Sequence, residues 1–125
     1  MRRMVDAQRP GVVINLVSGA PYRGSFRSTA YMASKLGIAG LTRGMARELT
    51  PPRIRINAVA PGVPNTAMPR PGNTEAQLAT LAQRLPTGAL AEPEDIADVI
   101  VFLATDDARH LIGQLIHVNG GDDLA

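Results

Sequence analysis

The 125-residue chain has no cysteine and no tryptophan. Without thiols there can be no disulfide scaffold, no thiolate nucleophile and no cysteine-ligated zinc or iron–sulfur centre. Aromatic side chains are few, namely Tyr22, Phe26, Tyr31 and Phe102, so the core must be aliphatic. Lysine is almost missing: twelve of the thirteen basic residues are arginine, and the one lysine is Lys35. The basic opening MRRMVDAQRP is not followed by a long apolar run before Asn15 and Ser18-Gly19. This predicts neither a signal peptide nor a transmembrane segment, and a soluble, cytoplasmic protein with no membrane partner is the expectation.

Apolar residues make up 45% of the chain, and its twelve glycines and ten prolines are spread among apolar runs. That composition indicates a folded domain with many turns. For a mass of 13.2 kDa, size scaling gives roughly 6,400 Å² exposed when folded and roughly 19,000 Å² when extended. About two-thirds of the surface would then be buried, in one domain. The net charge of +2 is unevenly placed, with ten basic and two acidic residues in 1–55 but three and nine in 56–125. The basic residues form no cluster interleaved with aromatics, which argues for solvated surface charge and against a nucleic-acid partner.

Along the chain, MRRMVDAQR reads as the tail of a helix, and PGVVINLVS (10–18) as a strand buried on both faces. A loop with Gly and Ser follows to about Ser28. The segment from Thr29 to about Leu49 is helical, ended by Pro51 and Pro52. Its Gly37, Gly40 and Gly44 each cost roughly 1 kcal/mol against Ala and call for close packing against a sheet, a cofactor or another helix. IRINAVAPG (54–62) is a second strand, 75–84 a short helix, and Pro93 opens a further helix with Ile96, Val99, Ile100 and Leu103 on one face. GQLIHVNGG (113–121) is the third strand. This alternation predicts an α/β layer fold with a parallel sheet. Three strands are few, and the first would lack a neighbour if it were central in a larger sheet.

Tyr31 and Lys35 lie one turn apart on one helix face. A tyrosine with the usual pKa of about 10 is a poor base at neutral pH, and an adjacent ammonium favours its phenolate. The pair alone also suits a solvated helix surface. Ser18 closes a buried strand at its carboxyl end, where crevices open in α/β sheets, and a Ser hydroxyl there could hold a carbonyl or alcohol oxygen. Ser18-Gly19 is equally an ordinary turn. Pro61-Gly62 end the second strand on the same side, either as a simple turn or as a close backbone approach to a ligand. Thr66 follows in the next loop. His110 reads as a loop residue, His117 as a strand residue, and Asp122 and Asp123 as terminal surface charges, so no metal site is expected.

In sequence order, Ser18, Tyr31 and Lys35, then IRINAVAPG, Thr66 and GQLIHVNGG, resemble the carboxyl-terminal half of a classical short-chain dehydrogenase/reductase. The likeness runs from about residue 10 to 121 and is to the group that includes 3-oxoacyl-carrier-protein reductases. It implies a partial Rossmann-like, doubly wound parallel sheet lacking the amino-terminal dinucleotide-binding half. It also implies an oxidoreductase that interconverts a secondary alcohol and a ketone with NAD or NADP, as a homo-oligomer. Ser18 would orient the substrate oxygen, Tyr31 would act as general acid or base, and Lys35 would bind the nicotinamide ribose. Pro61 and Gly62 would pass beside the nicotinamide, Val63 and Pro64 would also contact the cofactor, Thr66 would hydrogen-bond near the carboxamide or the diphosphate, and residues 63–85 would form a substrate lid.

Three positions depart from the family pattern. Pro64 replaces the usual Val or Ile and has no N–H to hold the nicotinamide amide. Asn119 replaces an Asp, and Ile112 a Thr. The Gly-rich dinucleotide turn and the Asn of the family's catalytic tetrad are not in this chain. The alternative expectations are therefore a catalytically silent fragment or an oligomerisation module built on helix 29–49 and the last strand.

Overall fold

The computed structural model describes residues 2–49 and 54–123; the expected helix stop at Pro51 and Pro52 lies outside them. Three strands, β1 (Gly11–Leu16), β2 (Ile54–Pro61) and β3 (Leu115–Val118), form one sheet in the order β1-β2-β3. All pairing is parallel, with Gly11 opposite Ile54 and Ala58 opposite Leu115. The helices are α1 (Arg2–Asp6), α2 (Ala20–Arg23), α3 (Thr29–Glu48), α4 (Glu75–Arg84) and α5 (Pro93–Ala104).

Side-chain alternation along β2 explains the layering. Ala58 and Ala60 face α3, where they pack with Val17, Ile38 and Ala39. Val59 faces the other way, onto Ile96, Leu103 and Ala108 at α5 and the 3₁₀ turn after it. Helices thus cover both faces of a parallel sheet, as expected for half of a Rossmann-like fold. Small residues at 58 and 60 let α3 approach closely, and α3 meets them with Ala39.

Side-chain hydrogen bonds tie the sheet to its surroundings. Fully buried Asn57 donates to the Leu111 carbonyl (2.8 Å) and accepts from the Gln114 amide (2.9 Å). Arg55 donates to the carbonyls of Leu103, Thr105 and Ala108, closing the carboxyl end of α5. Asn15 donates to Thr42 Oγ1 (2.9 Å), tying β1 to α3.

Three expectations need correction. β1 is half-buried rather than buried, and Leu16 is 49% exposed. The reason is that its outer edge pairs with no strand among the described residues. The segment after Ser18 is not all loop: Pro21 in its first turn supplies a helical φ, and α2 forms there. The burial expected of a complete domain is not reached either. The chain exposes 8129 Å², so it buries about 57% of the extended-chain surface and leaves about 1,700 Å² more open than a folded monomer of its mass.

Candidate active site at the carboxyl ends of β1 and β2

The site is built where β1 and β2 stop. Past Leu16 the chain stays bonded to β2, with the Val17 amide on the Val59 carbonyl and the Gly19 amide on the Pro61 carbonyl (2.9 and 3.0 Å). Ser18 is thereby buried at the strand end, 9% exposed. Its Oγ accepts from the Ala20 amide (3.1 Å), and its own O–H has no acceptor among the described residues. A hydroxyl held this way keeps its proton available to an incoming oxygen.

Tyr31 lies in the first turn of α3 and is 45% exposed. One turn on, Lys35 donates from Nζ to the Leu16 carbonyl at 3.0 Å. The same Nζ stands 5.8 Å from the centre of the Tyr31 ring. The last carbonyl of β1 therefore anchors the only lysine, so that Ser18, Lys35 and Tyr31 gather at one strand end. Pro61 joins them through Gly19.

Gly62 is explained within the chain. A Cβ there would lie 2.9 Å from Asn119 Cα and 3.2 Å from the Asn119 carbonyl oxygen, and the Gly62 amide donates to Val118 (3.0 Å). The close approach is thus to β3's end. Beyond Val63 the loop turns towards α5. Pro64 forms a parallel bridge with Ala91, and Asn65 donates to the Ala91 carbonyl and to Glu92. The Thr66 amide donates to the Pro64 carbonyl (2.9 Å), and the Met68 amide lies 3.4 Å from Thr66 Oγ1. Residue 64 therefore has no N–H, and its carbonyl already accepts one bond. As a clamp for a nicotinamide carboxamide it fits poorly, whereas Tyr31 and Lys35 suit a ribose.

Sequence reading missed what α2 and the chain's end contribute. Asp122 is not a free surface charge but pairs with Arg23, the side chains being 18% and 31% exposed. Tyr22 stacks edge-on against His117, with centroids 5.0 Å apart. Pro21 was the available signal for α2; the pairing partners are 99 positions apart and left none.

A family model described as enoyl-(acyl carrier protein) reductase matches residues 1–122. The 3-oxoacyl-[acyl-carrier-protein] reductase of Vibrio cholerae serotype O1 is 40% identical over 114 residues, covering 91% of this chain and 46% of the relative. A solved 4-hydroxyisoleucine dehydrogenase mutant complexed with NADH and succinate superposes with a TM-score of 0.91 at 27% identity, over 99% of this chain and 51% of that one. A short-chain dehydrogenase/reductase from Brucella melitensis, glucose/ribitol dehydrogenase, gives 0.86 at 34% identity, over 91% and 46%. The chain spans about half the length of the proteins it matches. With its parallel half-sheet and its matched span, the chain belongs to the short-chain dehydrogenase/reductase family.

Proposed function

We propose that this chain is the catalytic half of an NAD(P)-dependent oxidoreductase that interconverts a secondary alcohol and a ketone. The observation that carries the reading is the Lys35 ammonium held on the Leu16 carbonyl beside Tyr31, at the strand end that carries Ser18. A bound nicotinamide cofactor supplies or takes up the hydride. The chain's own residues handle position and proton. Ser18 donates its O–H to the substrate oxygen, and Tyr31 gives a proton to that oxygen in reduction or takes one in oxidation. Lys35, fixed by the strand, presents its remaining N–H groups to the cofactor's ribose hydroxyls. Pro61, Gly62, Val63, Pro64 and Thr66 border the nicotinamide side, with the weakened anchor at Pro64, and residues 63–85 act as the lid over the substrate.

The adenosine and diphosphate contacts require the other half of the fold, placed along the open edge of β1. Most of the energy that aligns substrate and cofactor is made there. NADH and NADPH titrations test this. The chain fused behind the amino-terminal half of the Vibrio cholerae relative should bind one of them and reduce ketones. If the fused protein binds neither, the reading gives way to a catalytically silent fragment.

A second reading has its own observation. Gly37, Gly40 and Gly44 meet nothing within 4 Å, and Leu36 and Leu41 on the same helix are 46% and 53% exposed. The close packing that those glycines call for is not made among the described residues, which favours α3 as a helix-packing surface in a homo-oligomer. A discrete dimer or tetramer in sedimentation supports that reading, and a monomer refutes it.

A further inference from the structure

Helix α2 is only four residues long, Ala20–Arg23, and its amino end has no side-chain cap. One helical turn does not hold itself in water, so contacts outside it must fix it. α2 lies against α3, and two of its side chains are held from elsewhere: Tyr22 packs on His117 of β3, and Arg23 pairs with Asp122. Asp122 is itself held in place. Asn119 donates to the Asp123 carbonyl (2.9 Å) and accepts from the Gly121 amide (3.0 Å), while the Asp122 amide donates to the Asn119 carbonyl (3.1 Å). Asn119 in turn lies against Gly62. Contacts therefore run in a closed ring around the end of β2: Pro61 to Gly19, α2 to Asp122, Asp122 to Asn119, and Asn119 to Gly62.

We propose that the Arg23–Asp122 ion pair is a positioning device for Ser18, locking α2 so that the Ala20 amide stays on Ser18 Oγ and the hydroxyl proton points to the substrate. Its catalytic consequence rests on the oxidoreductase reading above, but its structural core does not. The pair is partly shielded from water and charge-assisted, so it is stronger than a solvated surface pair. Without it, the Ser18 hydroxyl is free to rotate away and the substrate oxygen loses a donor, while Tyr31 and Lys35 on α3 stay in place.

Amide hydrogen exchange on the 125-residue chain tests the clasp without any assay of activity. In Asp122→Asn, the amides of Gly19 and Tyr22 should exchange about tenfold faster, while that of Ala58 in β2 is unchanged. The charge-exchanged double variant Arg23→Asp/Asp122→Arg should recover much of the protection. Unchanged exchange at Gly19 and Tyr22, or equal acceleration at Ala58, overturns the inference. In the assembled active enzyme, Asp122→Asn should raise KM for the ketone about three- to tenfold and leave the NAD(P)H dissociation constant within about twofold; an unchanged KM also overturns it. Absence of turnover in every variant counts against the oxidoreductase reading alone, and the exchange result stands.

Discussion

At the scale of single residues, two glycines with opposite surroundings make paired predictions. Gly62 faces Asn119 with no room for a methyl group, so Gly62→Ala forces β2 and β3 apart at the site. It should cost about 1–3 kcal/mol, read as a lower urea midpoint. Gly40 meets nothing within 4 Å and sits inside α3, so Gly40→Ala should stabilise the monomer by about 0.5–1 kcal/mol in the same titration. If Gly40→Ala instead breaks up an oligomer, the helix-packing reading of α3 gains. The placement of Ser18 at a strand end and of Tyr31 and Lys35 one turn apart on a helix was legible in sequence, because a strand end and a helical spacing are local properties. The Leu16 carbonyl under Lys35 was not, since a backbone acceptor has no sequence signature.

At the scale of elements, β2 carries the fold, and Asn57 is its polar staple. Asn57→Leu would leave the Leu111 carbonyl and the Gln114 amide without their side-chain partner. We expect a loss of about 2–4 kcal/mol by chemical denaturation. Helix α4 depends on a capping box in which Thr74 and Gln77 exchange hydrogen bonds. Thr74→Ala should cost about 1 kcal/mol and appear as faster amide exchange confined to residues 75–84. The strands and the longer helices were readable in sequence, because continuous apolar runs and the 3.6-residue repeat are local properties. The half-burial of β1 was not, because an apolar run records the environment a strand is suited to and says nothing of which neighbours are present. For the same reason Asp122 passed for a terminal charge: its partner Arg23 comes from the opposite end of the chain.

At the scale of the whole molecule, surface area makes the main point. An excess of about 1,700 Å² over a folded monomer of this mass is about twice what one partner buries in a standard interface. The open side includes the outer edge of β1, a strand whose unpaired backbone groups template further pairing. On the function proposed above, the family's other half would cover that side and would carry the remaining contacts to a dinucleotide. The proposed chemistry turns on proton transfer by Tyr31 in the assembled site. The most direct measurement is ketone reduction by the fused two-half protein, compared with its Tyr31→Phe variant, alongside NAD(P)H binding to both. The expected outcome is a fall in kcat of about 10²–10⁴-fold with cofactor affinity within about twofold. A Tyr31→Phe variant that reduces ketones at the unaltered rate would contradict it.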